Sequence, residues 1–286
     1  MTFTLPNIFR RHSVVKGLLA SKLISPKQKI IFNGNSRAFV DLSDPEPRNV
    51  FLKSVFEPDF FELSTSLLDN EGTFFDLGAN VGFCSFGLIP THQRTEFHLF
   101  EANPNLIPLL RQSVELHPNQ CFQLNHCCIS DTNGKTNFQL EANQSGQSHV
   151  STTPGKGIEV PNLVLDDYCD QNQINCIDFA KLDIEGHEVP ALQGWQKNLS
   201  DHRVKAIYVE IIPENQKRYG RETNAPLAYL ESLGYSLFLC KDSDFGLFGE
   251  HPRKNRLKKG TPLLAKFRAN EYPPTFSTDV LALSPN

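Results

Sequence analysis

No stretch of this 286-residue sequence approaches the roughly 20 consecutive apolar residues that a membrane-crossing helix needs. The first residues lack the form of a secretory leader. Arg10 and Arg11 are basic, but Lys16 and Lys22 break the apolar run behind them, and no small-residue cleavage site follows. No large excess of charge of one sign is present: the formal net charge is −4, which gives no reason to expect nucleic acid as a partner. The seven cysteines contain no C-x-x-C pair and no framework spacing. Their number is odd and Cys127 and Cys128 are adjacent. This speaks for free thiols in a reducing compartment and against a disulfide scaffold or a zinc cluster. Repeats and low-complexity segments are absent. The expectation is a cytoplasmic globular protein without a membrane span.

Apolar residues make up 39% and charged residues 21%, enough for one sizeable α/β domain. The first thirty residues are basic and loosely amphipathic, through Val14, Val15, Leu18, Leu19, Leu23 and Ile24. Residues 29–42 suggest a small hairpin turning at Asn33-Gly34. Residues 48–68 read as one helix, with Pro58 marking a start or a kink. Residues 1–70 are therefore expected to form an N-terminal extension, a hairpin and helix packed on the core, and residues 71–286 the main domain.

From Thr73 the pattern changes to short apolar runs alternating with amphipathic helical windows. The runs are 74–77, 96–100, 122–128, 177–182, 206–211 and 235–240, and a last run, 278–283, follows without an intervening helix. The spacing predicts an α/β fold: a doubly wound, seven-stranded, mainly parallel sheet whose last strand is antiparallel. One irregular stretch, 129–164, contains a hairpin-like pair around Asn133-Gly134 and a polar loop from Asn143 to Gly157, placed where it would cover the ligand face.

Phe74–Gly82 reads as a buried strand, a glycine-rich turn and a helix start. Gly78 lets the backbone turn and approach a ligand, Gly82 permits close helix–strand packing, and Asp76 accepts from a ligand ammonium or braces the turn. Glu101 ends the next strand, about 20 residues on, where an acid accepts both hydroxyls of a ribose. A nicotinamide dehydrogenase would share these features. Its fingerprint, however, requires a second glycine where this chain has Asn80, and a glycine where it has Ser85. A cofactor with a ribose and an amino-acid end but no pyrophosphate fits better, and S-adenosylmethionine is such a molecule. Asp76, Gly78, Ala79, Asn80, Gly82, Glu101 and Ala102 are the expected contacts. Cys128, Ile129 and Ser130 are expected beside the adenine. An NAD(P)-dependent oxidoreductase and a non-catalytic nucleotide-binding module remain as alternatives.

An ordered set of motifs resembles the FkbM family of S-adenosylmethionine-dependent methyltransferases. It comprises Phe56-Glu57-Pro58, Phe75 to Gly82, Phe100-Glu101-Ala102-Asn103-Pro104, Ile129-Ser130-Asp131, Leu165-Asp166-Asp167-Tyr168, Lys181 to Glu188 and Asp279-Val280-Leu281-Ala282. Ala102 stands where the family often has proline. The resemblance implies a Rossmann-like fold and O-methylation of a hydroxyl on a sugar, glycan or glycosylated metabolite. A hydroxyl is a poor nucleophile, so a general base or a metal should assist. Asp183 ends a strand and should point into the crevice, with Glu185 and His187 on the same turn; these three could also hold a divalent cation or contribute Asp183 itself to the cofactor site. Glu210 ends the next strand on the same rim. Glu188 is expected to cap the following helix, His149 is a further candidate base, and His98 is expected to be packed. The basic residues Arg253, Lys254, Arg256, Lys258 and Lys259, in the long connection 241–276, are expected to face an anionic or glycan acceptor.

Overall fold

Two adjacent phenylalanines organise the main sheet. Side chains of a strand alternate between faces, so Phe74 enters one hydrophobic core and Phe75 the other. The computed structural model describes residues 12–142, 144–240 and 264–285.

The chain begins with α1 (His12–Ala20), β1 (Lys27–Phe32), β2 (Ser36–Asp41), α2 (Pro45–Lys53) and α3 (Pro58–Leu67). Next come β3 (Thr73–Leu77), α4 (Phe83–Leu88), β4 (Glu96–Glu101), α5 (Ile107–Glu115) and β5 (Cys121–His126). An inserted unit follows: β6 (Cys128–Ile129), β7 (Gly134–Gln139), β8 (His149–Val150) and β9 (Ile158–Leu163). The alternation resumes with α6 (Leu165–Gln171), β10 (Phe179–Leu182), α7 (Glu188–Gln193), α8 (Gln196–Ser200), β11 (Ala206–Ile211), α9 (Pro213–Arg218) and α10 (Ala225–Ser232). It closes with β12 (Ser236–Cys240), β13 (Leu264–Phe267) and β14 (Thr278–Leu283).

The main sheet has the order β13-β12-β14-β11-β10-β3-β4-β5. β5, β4, β3, β10 and β11 pair in parallel. β14 runs antiparallel between β11 and β12. Strands and helices on both faces give the expected Rossmann-like, doubly wound α/β fold. The strand number differs from the expected seven: β13 adds an eighth, antiparallel to β12. Its sequence, Leu264-Ala265-Lys266-Phe267, is too short and mixed to stand out from the basic connection before it. The chain leaves β3 toward β4 on one side and returns to β10 on the other. The order therefore reverses between β3 and β10, and a crevice opens beyond their C-terminal ends.

The N-terminal elements share the core of this sheet. Val15, Phe32, Val40, Phe60 and Leu63 are fully buried in one cluster with Phe74, Phe97 and Phe179. The hairpin turn at Asn33-Gly34 joins β1 to β2, with Phe32 paired to Ser36. The single helix expected over 48–68 is instead two. Ser54 and Glu57 take left-handed backbone angles, with φ 57° and 31°. Pro58 starts α3, because proline disfavours a helical residue before it. The expected strand 122–128 also divides: Cys127 separates β5 from β6, which joins a second sheet of order β6-β9-β7-β8. The hairpin-like pair expected around Asn133-Gly134 is interrupted, since β9 lies between β6 and β7. No helix among the described residues is long and apolar enough to cross a membrane.

Candidate active site

The crevice beyond β3 and β10 holds a cavity of about 600 Å³. That lies within the usual size of small-molecule sites. One end is built by the turn after β3. Gly78 has φ 86° and donates its N–H to the Phe100 carbonyl on β4 at 3.0 Å. A Cβ at Gly78 would lie 1.8 Å from the Asp183 carbonyl oxygen. Glycine is thus required by the end of β10 pressing on the turn, and Gly78 also lines the cavity. Asn80 has φ 51°, a left-handed angle that asparagine tolerates better than most side chains. Its N–H donates to Glu101 Oε2 at 2.7 Å, and the Asn103 N–H donates to Glu101 Oε1, also at 2.7 Å. The Ala102 N–H also acts on this carboxylate, whose roughly four lone-pair sites still leave room for a ligand hydroxyl. Burial pushes Glu101 up to about 7, against the hydrogen bonds from Asn103 and Asn80. Asp76 is buried at the same end and accepts from Ser85 Oγ at 2.5 Å. Burial raises its pKa, opposed by Lys181 and Ser85. Ala79, Ala102, Cys127, Cys128 and Ile129 complete this wall.

The other end is acidic around one ammonium. Lys181, in the otherwise apolar strand β10, places Nζ 2.8 Å from Asp183 Oδ2. Burial would raise the Asp183 carboxyl. The Lys181 charge and hydrogen bonds from Glu210 and Lys181 outweigh it, and the pKa falls below the ordinary value. Glu210, at the end of β11, moves the opposite way, raised first by the Asp183 charge and then by burial. The two acids are thus pushed apart, Asp183 toward its ionised form and Glu210 toward its protonated form. Glu185 sits in a left-handed conformation, φ 58°, and accepts from Asn215 Nδ2 at 2.6 Å. Burial and the Asp183 charge push it up to about 8. Asp183, Glu185 and Glu210 offer three oxygens within 4.8 Å of one another, the kind of hard donors that suit a divalent cation.

The cavity brings together Asp76, Gly78, Ala79, Asn80, Glu101, Ala102, Cys128, Asp183, Glu185, His187 and Glu210. Gly82 and Ser130 stand behind its wall. A Cβ at Gly82 would lie 2.3 Å from the Phe86 ring, so its lack of a side chain serves the packing of α4 rather than a helix–strand contact. Ser130 Oγ pairs with Asp131 at 3.1 Å and with His187 Nε2 at 3.1 Å. Burial lowers the His187 pKa to about 4, so the ring is neutral. Glu188 reaches back and accepts from the Gly186 N–H at 3.0 Å, bracing the turn that carries Glu185. His149 lies in β8, bonded to the Gln147 carbonyl and away from the cavity. His98 is packed, with Nδ1 2.7 Å from the Tyr168 hydroxyl. Arg253, Lys254, Arg256, Lys258 and Lys259 lie outside the described residues.

Sequence reasoning missed several cavity residues. Lys181 was visible as a lone lysine inside a strand of buried neighbours, two residues before Asp183 and so on the same face. Asp44, Glu46, Phe56 and Glu57 come from the N-terminal segment and reach the cavity only through the fold. Ser145, Gly146 and Gln147 come from the polar loop.

A family model described as the methyltransferase FkbM domain matches residues 76–237, more than half of the chain. The hexuronic acid methyltransferase AglP of Haloferax volcanii is 23% identical over 159 residues, which are 54% of this chain and 62% of that protein. Among solved structures, TYW2 of P. horikoshii in complex with MeSAdo is 10% identical over 96% of this chain and 83% of that one, with a TM-score of 0.43. A precorrin-6y C5,15-methyltransferase from Geobacter metallireducens is 12% identical over 78% and 86%, with a TM-score of 0.39. With the glycine turn, the acid ending β4 and the β10 acid all inside the matched span, this chain belongs to the FkbM methyltransferase family.

Proposed function

We propose that the protein transfers the methyl group of S-adenosylmethionine to a hydroxyl of a sugar or glycan acceptor. The observation that carries this reading is that one cavity is lined both by the Gly78–Asn80 turn with Glu101 and by Lys181, Asp183 and Glu210. When bound, the cofactor supplies an electrophilic methyl group. Glu101 holds the ribose hydroxyls, and Asp76 with the turn holds the amino-acid end. Asp183 accepts the proton of the acceptor hydroxyl, kept ionised for that task by Lys181 and by the proton on Glu210. The chain's main contribution is alignment, since fixing two reactants in near-attack geometry removes a large part of the barrier. A divalent cation held by Asp183, Glu185 and Glu210 would add Lewis-acid activation of the acceptor oxygen. The sugar acceptor is supported by the name of the Haloferax volcanii relative, which is a hexuronic acid methyltransferase.

A nicotinamide-dependent activity is the weaker reading. Asn80 stands where the pyrophosphate needs bare backbone, and its side chain is already engaged by Glu46 and Ser145. Calorimetry with S-adenosylhomocysteine and with NAD separates the two. Binding of the former alone is expected. Binding of NAD alone would overturn the proposal. Methyl transfer from labelled cofactor to a panel of neutral, amino and uronic sugars then identifies the acceptor class.

A further inference from the structure

Asn80 joins both sides of the cavity. Its backbone N–H is held by Glu101 at 2.7 Å. Its side chain faces away from Glu101: Nδ2 donates to Glu46 Oε2 at 3.1 Å, and Oδ1 accepts from Ser145 Oγ at 3.2 Å. With Glu46 ionised, the Asn80 amide presents Nδ2 to the carboxylate and Oδ1 to the Ser145 hydroxyl. Ser145–Gln147 is a single 3-10 turn with no buried residue. Few contacts hold it in place. The Ser145 N–H donates to Asp44 Oδ2 at 2.8 Å, the Ser145 hydroxyl reaches Asn80, and Ser148 Oγ accepts from the Glu141 N–H at 3.1 Å. Gly146 lies flat on the node, where an added Cβ would be 3.3 Å from Asn80 Nδ2. A short segment without a buried side chain, secured by a few part-buried hydrogen bonds, responds measurably to one more fixed partner.

We propose that Asn80 is a positioning residue that couples cofactor occupancy to closure of the 145–147 turn over the cavity. This rests on the reading of Glu101 as the ribose acceptor. Ribose hydroxyls on Glu101 fix its carboxylate, the carboxylate fixes the Asn80 backbone, and the Asn80 side chain then presents a steady acceptor to Ser145. The turn acts as a strap that the cofactor draws shut through one asparagine. Asp44 and Glu46 carry the same closure to the start of α2.

Hydrogen exchange measured by mass spectrometry, with and without saturating S-adenosylhomocysteine, tests the coupling without a known acceptor. In the native chain the ligand is expected to slow exchange in the turn at 78–82 and, by at least about fivefold, in the strap at 145–148. In Ser145→Ala the turn at 78–82 still slows, while the strap responds by less than about twofold. Ser145→Thr keeps the hydroxyl and restores the strap response. A strap response unchanged in Ser145→Ala, or a native strap indifferent to a ligand that protects the turn, overturns the coupling. Absence of protection in the turn itself overturns the cofactor reading, and the coupling falls with it.

Discussion

The carbonyl oxygen of Asp183 lies 1.8 Å from where a Cβ of Gly78 would be. The glycine turn after β3 and the end of β10 are therefore one piece of packed backbone, further tied by the Asp183 N–H donating to the Leu77 carbonyl at 3.0 Å.

Gly78→Ala is accordingly expected to damage both ends of the site. The left-handed angle alone costs about 1–2 kcal/mol for a side chain, and backbone atoms cannot yield as a flexible side chain can. The expected result is a lower melting temperature and loss of S-adenosylhomocysteine binding, read by calorimetry. Wild-type affinity would mean that the turn tolerates displacement of β10.

Asp183→Asn preserves shape and removes the proton acceptor. The turnover number is expected to fall by about 10²–10⁴-fold, the range of a general base. Cofactor affinity should change little. Turnover within threefold of wild type would take the base role from Asp183.

Lys181→Met leaves Asp183 beside Glu210 without its counter-charge. Breaking a buried pair costs about 3–5 kcal/mol, measured by chemical denaturation at neutral pH. The sign follows from the Asp183 carboxyl, which is held below its ordinary value. Its stabilisation is present above that ordinary value and is lost as pH falls through the lower, folded one. The gap between wild type and variant therefore narrows in acid. In the pH–rate profile the acid limb of Lys181→Met moves to higher pH, because Asp183 then holds its proton longer.

Glu101 has the opposite sign. Burial raises it to about 7, so the folded chain holds a proton that the unfolded chain has already lost, and this group's contribution to stability declines between its ordinary value and 7. The proposed ribose recognition requires the ionised form. S-adenosylhomocysteine affinity is expected to strengthen by about tenfold from pH 6 to pH 8, the change in the ionised fraction of a group near 7. Glu101→Gln should bind weakly and without this slope. An equal slope in the variant would assign the titration to another acid, with Glu46, also near 7, the first to test.

The parts of this molecule legible in its sequence are those governed by short-range pattern. β3 and β4 are buried apolar runs ending in Leu77 and Glu101, and the glycine turn between them follows from local backbone needs. The second sheet was not legible. β7 and β9 carry polar side chains on half-exposed faces, so their periodicity resembles a loop. The break between α2 and α3 was half visible, through Pro58, but the left-handed angle of Glu57 was not. In the site, Asp183, Glu185 and Glu210 could be found because strand ends point to the crevice. Glu46 and Ser145 could not, since each reaches Asn80 across 34 and 65 residues of chain respectively.

The matched family span begins at Asp76, yet Asp44, Glu46, Phe56 and Glu57 line the cavity from outside it. Part of the cavity wall is thus written on a stretch of chain separate from the matched one. If that wall meets the acceptor, a graft of residues 44–57 that keeps Asp44 and Glu46 is expected to redirect which hydroxyl is methylated while donor affinity stays put, so that a shared enzyme chassis is retargeted through one short peptide.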